Sequence, residues 1–197
     1  MGSASLIIIA ILLVLALWAV AVYNRLRLLR NRVENAWSQI DVQLKRRYDL
    51  IPNLVEVARG YLQHEASTLE AVAKARNQAL QASEGLRGHS RSTQEMGQFA
   101  AAEHLLGGQL GKLMAVVESY PELKADAQMQ RLSEEIASTE NRIGFARQAY
   151  NDEVMAFNDK ASQFPDLIWA RLLGFAHMDM LQSTVSEEER QAPRVRF

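Results

Sequence analysis

Two pairs of adjacent histidine and glutamate residues are the first places in the sequence where metal chemistry could be built. They are His64-Glu65 and Glu103-His104. A di-iron bundle needs Glu-x-x-His so that both ligands project from one helix face, whereas adjacent helical residues diverge by about 100°. The zinc motif His-Glu-x-x-His, the Walker loop and the Gly-x-Ser-x-Gly motif are absent, and the chain has no cysteine. We therefore expect no enzyme activity, no metal and no cofactor.

A second group with chemical potential is the basic run Lys45-Arg46-Arg47, which interrupts an amphipathic helical pattern. With Ile40 taken as the centre of the apolar stripe, Arg47 falls at about −20°, within the stripe. Lys45 and Arg46 fall at about 140° and 240°, on the outer side. The spacing therefore predicts that one of the three basic side chains points inward.

The same count places four further charges on inner stripes, Glu65 and Arg76 on a second helix and Glu140 and Arg147 on a fourth. A charge buried alone costs several kcal/mol, so these groups need partners. We predict an interhelical ionic network of Arg47, Glu65, Arg76, Glu140 and Arg147, in which Arg47 and Glu140 join the first and fourth helices. The alternative is that the side chains reach solvent near helix ends. The predicted role of the network is structural, because such networks fix helix register.

Long helices must position these charges, since the 197 residues include only 10 glycines and 4 prolines. The predicted elements are a first helix that Pro52 kinks or restarts, a second to about Ala82, a loop over Ser83 to Ser92, a third from near Thr93 and a fourth from Pro121 to about Gln163. Asp166 to Phe175 is predicted as a short apolar helix that packs back on the bundle or lies at the bilayer. The predicted fold class is all-α, with a single N-terminal transmembrane helix continuing into an antiparallel up-and-down four-helix bundle.

The N-terminal segment is uncharged from Gly2 to Asn24. As a helix, Leu6 to Tyr23 spans about 27 Å, close to the hydrocarbon thickness of a bilayer. A cleaved signal peptide is the alternative, since Ala19-Val20-Ala21 resembles a cleavage site, but no lysine or arginine precedes the apolar run. We predict a transmembrane anchor over residues 1–24, a helical bundle over 25–178 and a flexible tail over 179–197.

Arginines follow the apolar segment directly, at Arg25, Arg27, Arg30 and Arg32. By the positive-inside rule, this asymmetry predicts a cytoplasmic C-terminal domain. These arginines could contact anionic lipid headgroups, or they could merely flank a membrane helix. The formal net charge of the whole chain is −1, which gives no electrostatic case for binding nucleic acid.

The chain resembles the LemA family over most of its length, from the membrane helix to about Phe175. The resemblance rests on "NAWSQIDVQLKRRYDLIPNLVEVARGY" from Asn35, "YPELKA" from Tyr120 and "ENRIGFARQAYNDEV" from Glu140, with shorter matches between and after them. It implies a bacterial membrane protein with one N-terminal anchor, a soluble antiparallel helical bundle and no known catalytic activity, metal or cofactor. It also implies an association with membrane proteases or TPM-domain proteins, whose genes often neighbour those of family members.

These observations lead to two hypotheses of function. The first is a membrane-anchored, non-enzymatic scaffold or adaptor of the bacterial cell membrane that presents its bundle surface to partner proteins and could form a homo-oligomer. The alternative is a membrane-shaping or lipid-binding protein, as the magnetosome-type relatives of the family suggest. A third reading, an enzyme or ligand receptor with a buried site, has no convergent set of residues to support it.

Overall fold

The computed structural model describes residues 2–86 and 92–181, and within these ranges every regular element is an α-helix. The helices are α1 (Ser3–Arg59), α2 (Ala66–Gly85), α3 (Thr93–Glu118), α4 (Pro121–Ala125), α5 (Ala127–Ser162) and α6 (Asp166–Leu172). The predicted all-α fold class is confirmed. The predicted tail falls almost entirely on residues 182–197, which lie outside the described residues.

The predicted restart of a helix at Pro52 is wrong, because α1 continues through this residue to Arg59. Proline has no N–H, so the carbonyl oxygen of Tyr48, four residues earlier, loses its helical donor. The Nε atom of Arg76 donates a hydrogen bond to this oxygen over 3.1 Å. A side chain of α2 thus replaces the backbone bond that Pro52 removes, which is how the helix tolerates the proline.

The chain reverses later than predicted, between Arg59 and Ala66, so α2 starts well after Pro52. At its other end, α2 includes Ser83 to Gly85, the first residues of the predicted loop. Residues 87–91, in the middle of that loop, lie outside the described residues. Ser92 then starts α3 with a capping box, in which its hydroxyl accepts from the Glu95 N–H and its own N–H donates to the Glu95 carboxylate.

The predicted fourth helix is two helices, because the chain pauses at Asp126 between α4 and α5. The Oδ1 atom of Asp126 accepts hydrogen bonds from the N–H groups of Gln128 and Met129, at 2.9 Å and 2.8 Å. Its Oδ2 atom accepts from the Tyr61 hydroxyl over 3.1 Å. These bonds, the one from the Met129 N–H foremost, hold the pKa of Asp126 below its usual value. Asp126 therefore caps α5 and ties its start to the end of α1.

The chain divides into two compact units, and α1 and α5 contribute residues to both. Unit 1 comprises the described residues of Met1–Ser38 and Gln148–Met180, and unit 2 comprises those of Gln39–Arg147 and Leu181–Phe197. In unit 2, α1, α2, α3 and α5 share one buried core. Its apolar members include Ile40, Leu44, Ile51, Leu54, Val72, Ala79, Phe99, Leu106, Leu113, Ile136 and Ile143.

Unit 1 has a core of α1, α5 and α6 residues that includes many rings. Trp37 packs edge-on against Tyr150, with ring centroids 5.6 Å apart, and Phe175 lies 6.2 Å from Phe157 and 5.8 Å from Tyr23. Toward the N-terminus the apolar residues of α1 are exposed. Every large hydrophobic side chain from Leu6 to Val14 is about half exposed or more. This stretch is long and apolar enough to cross a membrane.

Candidate functional site

A cluster of charged and hydroxyl groups occupies the core of unit 2, and we call it the ionic cluster. Its members are Arg47 and Tyr48 of α1, Glu103 of α3, and Glu140 and Arg147 of α5. The cluster forms because α1 and α3 carry polar residues at buried positions, Arg47, Tyr48 and Glu103, and α5 brings two partly exposed charges to them. Helices α1, α3 and α5 are thereby joined by ionic contacts as well as by apolar packing.

Arg47 is the centre of the ionic cluster and is only 1% exposed. Its Nη1 atom donates to Oε2 of Glu140, and its Nη2 atom donates to Oε2 of Glu103. Burial lowers the pKa of the Arg47 guanidinium. The neighbouring carboxylates of Glu103 and Glu140 together raise this pKa by more than burial lowers it, so the net shift is upward. The side chain is therefore a permanent cation held between two helices.

Glu103 is buried, and its carboxylate accepts hydrogen bonds from three side chains. Its Oε1 atom accepts from the Tyr48 hydroxyl over 2.7 Å, and its Oε2 atom accepts from Arg47 and, over 3.4 Å, from Nη2 of Arg147. Burial raises the pKa of Tyr48, and the adjacent Glu103 carboxylate raises it further. Tyr48 therefore stays a neutral donor to the carboxylate across the whole physiological pH range.

The structure brings four of the five predicted network residues to this region, with different degrees of burial. Arg47 is buried, Arg147 is a quarter exposed in its side chain, and the Glu140 side chain is 55% exposed although it pairs with Arg47. Arg76 reaches the cluster through the backbone oxygen of Tyr48. Glu65 does not join it, because α1 ends at Arg59 and Glu65 stands at the N-cap position of α2, half-buried.

Sequence reasoning missed Glu103 and Tyr48, although the signal for both was present. Glu103 lies four residues after Phe99 and three before Leu106, and Tyr48 lies four after Leu44, so both occupy stripe positions. Glu103 was considered only with His104 as a metal ligand pair. In the structure Glu103 is buried and His104 is exposed, so the two diverge as adjacent helical residues must.

Two donors of the ionic cluster, Nε of Arg47 and Nε of Arg147, are buried without a hydrogen-bond partner among the described residues. Each such donor costs free energy that the other bonds of the guanidinium must offset. The cluster is therefore a poor source of net stability compared with an apolar core of the same volume. The cluster instead specifies one register of the helices, because a shifted helix would leave a buried charge unpaired.

No group of three or more His, Asp or Glu side chains that could hold a metal ion occurs in residues 2–86 and 92–181. One surface concavity of unit 2, formed by residues of α3, α4 and α5, is an open groove of about 260 Å³. Met114, Val117 and Met129 line it together with the exposed pair Lys124 and Glu118. This lining suits contact with another surface better than the orientation of a small reactant.

The arginines predicted to contact lipid headgroups lie on α1 in unit 1. Arg25, Arg27 and Arg32 are exposed and Arg30 is half-buried, while Leu26 and Leu29 between them are buried. Three guanidinium groups are thus available on the surface of α1 just beyond the uncharged segment. Their place at the end of an apolar helix is where anionic headgroups would be met if that helix spans a bilayer.

Comparisons with known proteins extend these observations. The LemA family model matches residues 36–197, which include the whole ionic cluster. Magnetosome proteins MamQ 2 and MamQ 1 of Paramagnetospirillum magneticum are each 26% identical to the chain, with 90% of this chain and 72% of each relative aligned. Magnetosome protein MamQ of Magnetospirillum gryphiswaldense is also 26% identical, over 72% of this chain and 58% of the relative. The resemblance seen in the sequence is therefore confirmed, and the chain belongs to the LemA family.

Proposed function

We propose that this protein is a membrane-anchored helical scaffold, which holds a rigid bundle surface near the bacterial cell membrane for partner proteins to bind. Membership of the LemA family, the MamQ relatives and the exposed apolar stretch of α1 support a membrane-associated protein. In this proposal residues 1–24 are the single membrane span, and catalysis has no part in the function.

The observation that carries the scaffold role is the ionic cluster. Its charged groups pair with one another: Arg47 donates to both Glu103 and Glu140, and Tyr48 and Arg147 both donate to Glu103. A catalytic acid or base would need a proton-accepting or proton-donating group directed at a cleft. Charges locked between helices instead favour one fixed arrangement of the bundle, which is what a binding surface needs.

The surface of unit 2 offers apolar side chains for partner contact. Phe145 on α5 is 73% exposed, Val42 on α1 is 58% exposed and Leu105 on α3 is 42% exposed. Aromatic residues, phenylalanine among them, are enriched at the cores of protein–protein interfaces. Partners fitting this surface would be membrane proteins or a second copy of the chain, and the proteases and TPM-domain proteins linked to the family are the first to examine.

Photocrosslinking in intact membranes tests the scaffold proposal. A benzophenone amino acid replaces Phe145 in the full-length chain, and the matched control carries it at Gln98, an exposed polar position on α3. We expect discrete crosslinked species from position 145 that mass spectrometry assigns to one or a few proteins, and only weak, diffuse adducts from position 98. If positions 145, 42 and 105 all give no discrete adduct, the scaffold proposal is wrong.

The orientation of the chain is part of the proposal, with the bundle in the cytoplasm as the arginines after the apolar segment indicate. Because the chain has no cysteine, single cysteines report topology without background. In spheroplasts, a membrane-impermeant maleimide should label Ser3→Cys and should label Gln98→Cys only after the membrane is permeabilised. Labelling of Gln98→Cys before permeabilisation would show that the bundle lies outside the cytoplasm, which contradicts the proposed orientation.

A membrane-shaping or lipid-binding protein is the second candidate, favoured by the exposed guanidinium groups of Arg25, Arg27 and Arg32. It predicts that the reconstituted full-length protein deforms vesicles containing anionic lipid but not neutral ones. Replacing these three arginines with glutamine should abolish the deformation, while replacing the exposed Arg131 and Arg142 of α5 should not. Equal behaviour in both kinds of vesicle would leave the scaffold as the better proposal.

A further inference from the structure

Helix α6 and the turn before it present large apolar side chains to solvent. Phe164 is 81% exposed, Ile168 is 57% exposed and Leu172 is 73% exposed. Ile168 and Leu172 are four residues apart and so lie on one side of the helix, while Phe164 is exposed in the turn that precedes it. Three large exposed apolar side chains within nine residues are unusual for a surface that meets only water.

The opposite side of α6 is well anchored in unit 1. Ala170 is 1% exposed, and the buried carboxylate of Asp166 forms an ion pair with Lys160 of α5. Gly174 ends the helix at a φ of +75°, where its N–H donates to Arg171 and the following Phe175 N–H donates to Ala170. This Schellman pattern satisfies the last carbonyls and turns the chain, so that Phe175 packs on Tyr23. The exposed face is therefore held in place by a fixed helix.

The position of α6 along α1 is set by a contact between two tryptophans. The rings of Trp169 and Trp18 lie 6.4 Å apart at an interplanar angle of 78°. Trp18 precedes Arg25, the first charged residue of α1, by seven residues, or about 10 Å of helix. Trp169 thus lies alongside the uncharged segment of α1, where Leu17 and Val20 are also exposed.

We propose that α6 is a second membrane contact, a short helix that lies in the bilayer interface with Phe164, Ile168 and Leu172 directed into the acyl chains. This inference rests on the proposed membrane span of residues 1–24 and deepens it. If Trp18 lies inside the bilayer boundary, the contact between Trp18 and Trp169 carries α6 there as well. Tryptophans concentrate at this depth, and short helices with one apolar face bind there.

Lipid is a better occupant of this face than a protein because the face continues the exposed apolar surface of α1. The apolar residues of α1 and the outer face of α6 would then meet one medium, without a boundary between lipid and protein contact. Polar groups of this region have partners on the protein side, Asp166 with Lys160 and the last carbonyls of α6 with backbone N–H groups. Insertion of the face of Ile168 and Leu172 therefore buries no unsatisfied charge, because the exposed Arg171 lies to one side of that face, where its long side chain reaches the headgroups.

Spin-label accessibility in the full-length protein tests the proposal, because the chain is free of cysteine. Labels are placed in separate variants at Leu172→Cys, at Leu12→Cys within the apolar segment, and at Asn35→Cys, an exposed polar position on α1 beyond the arginines. The protein is reconstituted in phosphatidylcholine–phosphatidylglycerol vesicles. Collision rates are then measured with oxygen, which concentrates in lipid, and with a water-soluble nickel chelate.

The oxygen-to-nickel ratio at position 172 should lie within about threefold of the ratio at position 12 and roughly tenfold above that at position 35. A ratio at 172 equal to that at 35, with 12 still lipid-exposed, would overturn the interfacial helix and leave the anchor intact. A water-like ratio at 12 would instead overturn the anchor, and the inference with it. Protection of 172 from both reagents would mean that protein covers the face, which also overturns the proposal.

A second label at Ile168→Cys guards against a local disturbance at position 172. The two positions share a face, so both should report lipid, whereas a label at Arg171, exposed and about 100° away from Leu172, should show a lower oxygen-to-nickel ratio. If all three positions give the same ratio, the helix is not lying with one face in the interface, and the inference is wrong.

Discussion

In unit 2, helices α1 and α5 meet through charge, with Arg47 donating to Glu140, whereas in unit 1 the same two helices meet through rings, with Trp37 against Tyr150. The two kinds of contact constrain a helix pair differently. Contacts between rings and aliphatic side chains are non-directional, so other apolar atoms can take the place of a lost partner. A buried guanidinium has no substitute partner, so a shift costs the full penalty of an unpaired charge. Unit 2 is therefore the part of the chain in which register is specified.

The largest expected effect comes from removing the centre of the ionic cluster. Arg47→Ala leaves the buried carboxylate of Glu103 without its main partner, and we expect the free energy of unfolding to fall by about 3–5 kcal/mol. Unfolding of the full-length protein in detergent by guanidinium chloride, followed by far-ultraviolet circular dichroism, measures the change in free energy. Arg46→Ala is the matched control, because Arg46 is half-exposed and its ion pair with Glu135 is long, at 3.8 Å. It should cost less than about 1 kcal/mol.

The second effect concerns Tyr48, which donates to the same carboxylate. Tyr48→Phe should destabilise the protein by about 1.5–3 kcal/mol, because it removes a buried hydrogen bond to a charged group. Tyr61→Phe is the control, since the Tyr61 hydroxyl bonds to Asp126 at the surface. A loss for Tyr48→Phe no larger than the loss for Tyr61→Phe would contradict the central place given to Glu103.

The pKa of Tyr48 gives the same comparison a pH dependence. The folded-state pKa lies above the ordinary tyrosine value of about 10, because burial and Glu103 disfavour the phenolate. The unfolded state therefore loses this proton first, so the contribution of Tyr48 is fully present below about pH 10 and is lost as the pH rises further. Tyr48→Phe should flatten the decline in unfolding free energy between about pH 10 and 11.5, and Tyr61→Phe should flatten it less.

The third effect links Arg76 to Pro52. Arg76→Met should cost about 1–2 kcal/mol, because the Tyr48 carbonyl then has neither the guanidinium nor a helical N–H as donor. In a Pro52→Ala background the new N–H can bond to Tyr48, so the same substitution should cost about 1 kcal/mol less. A double-mutant cycle measures this coupling. Strict additivity would show that Arg76 does not replace the bond that the proline removes.

The fourth effect belongs to unit 1, where shape matters more than pairing. Phe157 is 1% exposed, and its ring lies 6.2 Å from that of Phe175. Phe157→Leu keeps an apolar side chain of similar volume and should cost only about 1–1.5 kcal/mol in unfolding free energy. A loss as large as that of Arg47→Ala would mean that unit 1 is as strictly specified as unit 2, and the contrast between them would fail.

The sequence predicts most of this architecture because helical periodicity is a strong signal in a chain poor in glycine and proline. It locates the uncharged segment, the start of α3 and the inward direction of Arg47. It fails at Pro52, because the donor that rescues the helix comes from Arg76, a residue distant in sequence. It also joins α4 and α5 into one helix, since Asp126 caps α5 from a position that looks like helix interior. Local patterns do not reveal bonds supplied from another helix.

The composition of the ionic cluster was only partly predictable, for a related reason. A wheel count gives the face on which a charge lies but not its depth or its partner. It therefore ranks Arg47 and Glu140 alike, although one is buried and the other is half-exposed. It includes Glu65 because the sequence does not show the turn after Arg59, where the helical phase is reset. Glu103, the carboxylate with the most partners, was left out because its neighbour His104 suggested another chemistry.

The smallest expected effect therefore separates two residues that the sequence treated as equals. Glu140→Ala should cost less than about 1 kcal/mol, because its side chain is 55% exposed and Arg47 keeps Glu103 as a buried partner. Much of this loss should disappear in about 1 M salt, where exposed charges are screened. The loss from Arg47→Ala should persist in the same salt, since water and ions do not reach the pair with Glu103. Unfolding titrations in urea at low and high sodium chloride compare the two variants directly. Equal losses with equal salt dependence would mean that burial does not distinguish them, and that the two carboxylates hold Arg47 equally.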